Sequence, residues 1–166
     1  MSNHVSNQGR DDRHAEEGPG AELTSRLGYL LKHAQLRLTE LTAAALAPYG
    51  IDGRQLAVLL VLAGCEPASQ QQAARRLGVD RTTMVALLDA LEDKGLVARR
   101  PHADDRRRNV VELTQVGRDT LGQATRAGDD AERRFLAPLD AAAARQLREA
   151  LYALIRESRG AQAAQR

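Results

Sequence analysis

The chain has almost no aromatic residues: one Phe, three Tyr and no Trp among 166. Leu, Ala and Val must therefore fill its core, and with 43% hydrophobic residues they suffice for one domain. The single cysteine, Cys65, excludes an internal disulfide and fits a reducing, cytoplasmic setting. No apolar run approaches the length of a membrane span, and the N-terminus lacks a signal-peptide pattern, so no membrane partner is expected. There is no nucleophile elbow, phosphate-binding glycine loop or pair of carboxylates in a plausible cleft, so neither catalysis nor a cofactor is expected. His4 and His14 have no Cys or carboxylate at metal-ligand spacing and read as solvated. Lysine is also scarce. Of 24 basic residues 22 are Arg, the residue suited to bidentate contacts with phosphate and guanine. The net charge of +2 excludes little, but its distribution is uneven. Residues 99–108 hold five arginines against two aspartates, whereas the first 22 residues hold five acids against two arginines.

The most informative stretch runs from Ser69 to Thr114. Ser69 followed by Gln72 forms a capping box at the start of a short helix through Arg76. Leu77-Gly78-Val79 makes a tight turn in which Gly is free to take positive φ. Asp80 caps a second helix, where Met84, Leu87, Leu88 and Leu91 recur at the spacing of one buried face. Arg81, Thr82, Val85, Ala86 and Asp89 point outward. Gly95 ends that helix after Lys94. Two strand-like runs follow, Leu96–Arg100 and Asn109–Leu113, joined by a polar loop with Arg106, Arg107 and Arg108. Two helices across a Gly-containing turn, then a basic hairpin, suit double-stranded DNA: the second helix fits the major groove and the hairpin arginines reach a phosphate or the minor groove. Charge supplies affinity through counterion release. Sequence choice falls to Arg81, Thr82, Thr83, Val85 and Ala86, the last two by apolar contact such as thymine methyl groups. His102, alone in the loop, reads as lying near a phosphate.

The run from Asp80 to Val97 resembles the recognition helix of the multiple antibiotic resistance regulator (MarR) family. The run from Asp105 to Thr114, with Gly117 beyond it, is similar to that family's wing motif. The resemblance covers about residues 23–158 and is most specific from Gly78 to Gly117. It implies a mainly α fold with a small β-hairpin wing, a winged helix-turn-helix lobe (51–114) and a helical dimerisation lobe (23–48 and 115–158), within one domain of residues 21–160. It implies a homodimeric, ligand-responsive repressor on a pseudo-palindromic operator. By resemblance, Arg107 takes the position that enters the minor groove and Asp105 the position that orients it. The family often carries basic residues where this chain has Ala86 and Ala90, which shifts weight to Arg81 and the wing.

The flanks read simply. Residues 1–20 are polar, without periodicity, and read as a mobile tail. A long helix is expected from Leu23 to about Pro48, with Leu23, Leu27, Leu30, Leu31, Ala34, Leu38, Leu41 and Ala45 on one stripe. A strongly apolar helix from Asp52 is expected to be the buried scaffold. Thr114 caps a helix to about Phe135 whose apolar positions are sparse, better suited to spacing lobes than to filling a core. A last helix from Asp140 carries Ala143, Leu147, Ala150, Leu151, Leu154 and Ile155, with fraying expected beyond Ser158. The terminal stripes are expected to pack together across a two-fold axis. Tyr29, His33 and Arg37 share one helix face. Relatives in the family bind small anionic or phenolic effectors where the first helix meets the DNA-binding lobe, and a ring, an imidazole and a guanidinium suit a carboxylate. A polar seam between subunits explains the same residues and is slightly favoured. Cys65 has no cationic neighbour to stabilise a thiolate, so an inert thiol is favoured over a redox sensor. The alternative from another class is a winged-helix module that binds protein rather than DNA.

Overall fold

A computed structural model describes residues 20–64, 68–101 and 109–164. The chain divides into two compact units between Gln35 and Leu36. In the first, α1 (Ala21–Thr24) stops after a single turn. Thr24 Oγ1 donates to the Ala21 carbonyl and Ser25 Oγ to that of Glu22, each at 3.0 Å. Hydroxyls that bond back to the preceding turn compete with the helical ladder. The helix expected to run unbroken from Leu23 therefore restarts as α2 (Leu27–Leu46). Leu23, Leu27, Leu30 and Leu31 are all exposed.

In the second unit α2 closes on a 3-10 turn, Ala47–Tyr49, and Gly50 at φ +63° reverses the chain where a break was expected. Asp52 caps α3 (Gly53–Ala63): its carboxylate accepts the Gln55 amide at 2.8 Å, while Gln55 Oε1 accepts the Asp52 amide at 3.2 Å. The same box recurs between Ser69 and Gln72 at the head of α4 (Gln70–Leu77). Gly78 then adopts φ +74°, a conformation that a Cβ disfavours, and admits the turn into α5 (Arg81–Asp93).

The helix α3 is the buried scaffold, as its composition indicated. Leu56, Val58, Leu59 and Leu62 meet Ala73 and Ala74 of α4 and Met84, Leu88 and Leu91 of α5 in one cluster. Each large side chain buried there contributes about 1.5–3 kcal/mol. The lid on this cluster is a sheet of β1 (Ala68–Ser69), β2 (Val97–Pro101) and β3 (Asn109–Leu113), antiparallel in the order β1-β3-β2. Two of these strands were expected. The third, β1, is only two residues long and too short to show alternation. Strand β2 starts at Val97 rather than Leu96 because Leu96 is engaged elsewhere. Its amide donates back to the Leu91 carbonyl and its own carbonyl accepts the Thr114 amide, both at 3.0 Å.

Thr114 caps α6 (Gln115–Leu136) by accepting the Gly117 amide at 2.9 Å, and its hydroxyl donates to the Gly95 carbonyl at 2.7 Å. Gly117 is obligatory there: a Cβ at this position would stand 1.9 Å from the Leu96 carbonyl oxygen. Ala124 enters the core and Leu121 packs on it, so α6 does more than space two lobes, although Val116 is exposed. The last helix, α7 (Ala141–Ala164), starts on the Asp140 cap and continues past Ser158, where fraying was expected. Arg148 Nε donates to Glu132 Oε1 at 2.9 Å, tying α7 to α6. Leu147, Leu151, Tyr152, Leu154 and Ile155 are exposed along α7. Among the described residues, no single helix is long and apolar enough to cross a membrane.

Candidate nucleic-acid interface

Helix α5 has two faces of opposite character. Met84, Leu88 and Leu91 are buried and Leu87 is half-buried, so the helix is held rigidly from one side. Arg81, Thr82 and Ala86 are exposed on the other, with Val85 half-buried beside them. Asp80 fixes the first turn, accepting the Thr83 amide at 2.8 Å and the Thr83 hydroxyl at 2.6 Å. The Thr83 hydroxyl, first, and its amide, second, hold the Asp80 carboxyl below its ordinary pKa. The Thr83 proton is thereby committed to Asp80, leaving the hydroxyl of Thr82 and the guanidinium of Arg81 as the polar groups outward at this end. Arg81 has no ion-pair partner among the described residues, and neither have Arg75 and Arg76 in the last turn of α4. Those last two are exposed cations beside the turn that patterning did not single out. Their only sequence signal was placement at a helix C-terminus, which any cation satisfies.

The charge at the base of the wing is different from its sequence count. The guanidinium of Arg99 donates through Nη2 to Asp89 and through Nη1 to Glu92, both on α5. The Arg99 amide also donates to Glu92 Oε1 at 3.2 Å. Burial by itself would lower the Arg99 pKa, but the hydrogen bonds and charges of Asp89 and Glu92 outweigh it and raise the value above that of a free guanidinium. On the same strand Arg100 Nε pairs with Glu112 Oε2 at 3.6 Å. Two of the five arginines between 99 and 108 are thus neutralised within the lobe. Adjacent strand residues point to opposite faces, so neighbours in a charge run meet different partners. Asp89, expected to point freely outward, is one of those partners. The remaining arginines, Arg106, Arg107 and Arg108, lie outside the described residues, as do Asp105, His102 and Cys65.

A second bracket holds the C-terminal end of α5. Lys94 Nζ donates to the Gly50 carbonyl at 2.7 Å and to Gln55 Oε1 at 2.8 Å. This accounts for Gln55, a polar residue only 6% exposed within the core. From sequence Lys94 read only as the residue before the helix-ending Gly95.

On α2, the rings of Tyr29 and His33 stack with centroids 3.8 Å apart. His33 Nδ1 lies 2.8 Å from the Tyr29 carbonyl, and because a carbonyl only accepts, Nδ1 carries the proton. Arg37 pairs with Glu40 at 3.3 Å at an exposed position. Among the described residues, no group of three or more His, Cys, Asp or Glu is placed to hold a metal ion.

Residues 49–108 match the family model described as "MarR family". Over 96 residues the chain is 29% identical to the HTH-type transcriptional repressor NicR of Pseudomonas putida, covering 58% of this chain and 61% of that repressor. Two solved structures of the transcriptional repressor CouR are similar across most of the chain. One, bound to a 23-mer DNA duplex, is 37% identical, with a TM-score of 0.71 over 82% of this chain and 94% of that one. The other, bound to p-coumaroyl-CoA, is 35% identical, with a TM-score of 0.74 over 82% and 96%.

Proposed function

Because the chain belongs to the MarR family, whose members are transcriptional regulators rather than enzymes, we propose that it is a sequence-specific, ligand-responsive repressor that binds a pseudo-palindromic operator as a homodimer. The observation that carries this proposal is the two-sided α5. Its apolar face is locked into the core, and its first turn presents Arg81 and Thr82, with Val85 and Ala86 beside them, at an exposed edge. A rigid helix with a polar, cationic N-terminal turn is the form that enters a major groove. Thr83 contributes chiefly by fixing that turn through Asp80.

The wing adds a minor-groove contact. In this proposal Arg107 inserts, Arg106 and Arg108 meet phosphates, and Asp105 orients Arg107. A flexible Arg loses conformational freedom on insertion, and a carboxylate that fixes it beforehand reduces that cost. An inserted Arg favours a narrow, negative groove and so reads shape as well as charge.

A second copy covers the exposed leucines of α2 and the apolar stripe of α7. Helices of this length with one apolar face gain stability from packing rather than propensity. The site of action is cytoplasmic. The effector is a small anionic or phenolic compound, in keeping with the p-coumaroyl-CoA bound in one CouR structure, with Tyr29, His33 and Arg37 as its contacts. Such a ligand regulates only through different affinities for two states of the dimer. The state it favours is one whose recognition helices no longer match one turn of DNA, about 34–36 Å.

A mobility shift with DNA from the promoter neighbouring the gene, with excess unrelated competitor, tests the proposal. Arg107→Ala is expected to weaken binding by about 1–3 kcal/mol, the scale of a good specific contact. Asp105→Ala is expected to weaken it too, although it removes a negative charge beside DNA. Tighter binding by Asp105→Ala at equal salt would reduce the wing to a charge patch, and equal binding to competitor would remove sequence specificity altogether.

A further inference from the structure

We infer that Arg99 is a positioning residue that braces the wing against the recognition helix, and that it governs operator binding without touching DNA. The inference rests on the DNA-binding proposal above. The β2–β3 hairpin leaves α5 through Lys94, Gly95 and Leu96 only, with Gly95 at φ +69°. Core packing of Val97, Val111 and Leu113 and the pairing of β3 with β1 hold the inner end of the hairpin, but none of these ties β2 to the outer face of α5. Asp89 and Glu92 are three residues apart on α5, hence neighbours on one face, and Arg99 closes both onto β2. The fork of the guanidinium places one terminal nitrogen on each carboxylate, while the second oxygen of Glu92 accepts the Arg99 amide. The angle of the hairpin to α5 is therefore set by side-chain and main-chain donors together.

The arrangement distinguishes Arg99 from its neighbour. The Arg99 side chain is 23% exposed and committed to two carboxylates, whereas that of Arg100 is 69% exposed with one longer ion pair. A guanidinium with both ends bound to carboxylates and most of its surface covered has little left to offer a phosphate. Its role is geometric. A wing that must reach the minor groove while α5 occupies the adjacent major groove works only if the angle between them is set beforehand. Without the brace the wing must be ordered on binding, and part of the contact energy is lost to that ordering. Lys presents a single point charge and cannot span both carboxylates in the same plane.

The experiment compares the full-length parent with Arg99→Gln, Arg99→Lys and Asp89→Asn. It follows operator affinity across a salt series, together with amide hydrogen exchange in residues 97–101 and 109–113 without DNA. The expected result is a loss of affinity of roughly tenfold to a hundredfold for Arg99→Gln, with a salt slope equal to that of the parent. Asp89→Asn should also weaken binding, and Arg99→Lys should restore charge but not affinity. Exchange in the hairpin should rise in all three variants while the buried amides of α3 stay protected. A salt slope lowered by about one unit in Arg99→Gln, with Asp89→Asn binding as well as or better than the parent, would make Arg99 a phosphate contact and overturn the inference. Unchanged hairpin exchange in the variants overturns it as well. Failure of the parent itself to bind any operator would instead defeat the DNA-binding proposal, and the exchange data would still decide whether the brace exists.

Discussion

Substituting Gly117 by Ala tests the junction on which the wing and α6 both depend. The added Cβ would lie 1.9 Å from the Leu96 carbonyl oxygen and 2.9 Å from its carbon, both backbone atoms that no rotamer change can move. Relief requires the start of α6 to retreat from Leu96 by about 1 Å or more, since real Cβ contacts begin near 3.0 Å. That retreat stretches the Thr114 amide bond to Leu96 and the Thr114 hydroxyl bond to Gly95. Overpacking costs about 1–3 kcal/mol, and a weakened hydrogen bond adds about 1 kcal/mol. The expected destabilisation is thus about 2–4 kcal/mol, which for a domain of this size lowers Tm by roughly 4–16 °C. Gly122, on the same helix, has nothing within 4 Å of its Cβ position. Gly122→Ala should therefore stabilise, by about 0.5–1 kcal/mol. Urea and thermal unfolding of both variants at one fixed protomer concentration, because any self-association would contribute to apparent stability, would measure the pair. Equal or same-signed effects would refute the close approach of α6 to Leu96.

Further outcomes follow from other parts of the molecule. Leu151→Asp or Leu154→Asp on the exposed face of α7 should lose association and operator binding together in sedimentation and mobility-shift assays. A well-folded monomer of the unmodified protein at micromolar concentration would contradict the proposed dimer. The Asp80 carboxyl, held low by Thr83, should keep its capping contribution at all pH values above the ordinary Asp pKa. It should lose that contribution only as pH falls through the depressed folded value. Titration of Asp80 by NMR at or above about 3.9 would contradict this, and Asp80→Asn should remove the acid step while keeping the cap. His33→Ala and Arg37→Ala should each blunt the release of DNA by whichever small anionic or phenolic compound a screen finds to release the parent. Unchanged release in both would remove these residues from the effector site.

Most of the DNA-binding lobe was legible because its signals are local. Capping boxes at Asp52 and Ser69, the positive-φ glycines at 78 and 95, and the spacing of Met84, Leu88 and Leu91 each fix a few neighbouring residues. What escaped patterning depends on distance or on competition. The break after Thr24 comes from two hydroxyls that outcompete the helix, against an apolar stripe that runs straight through them. Strand β1 is defined by its partner β3 rather than by its own two residues. The counted charge of the wing was misleading because Arg99 and Arg100 find Asp89, Glu92 and Glu112, acids seven to twelve positions away. The link from Lys94 to Gly50 and Gln55 spans still longer separations, 44 and 39 residues, which no local pattern records. Of the proposed DNA contacts, the arrangement of Arg81 and Thr82 was readable from helix phase. Thr83 was read as one more residue choosing the DNA sequence, whereas its hydroxyl closes the cap on Asp80.

The most direct test of the central claim is selection of binding sites from a random duplex library by the purified protein, followed by footprinting on the enriched sequence. The expected product is an inverted repeat whose half-sites lie one helical turn apart, with major-groove protection in each half-site flanked by minor-groove protection from the wing. Arg81→Ala should relax base preference within the half-site, whereas Arg107→Ala should remove the flanking protection. Enrichment of no sequence, or of a single asymmetric site occupied by one protomer, would contradict the central claim.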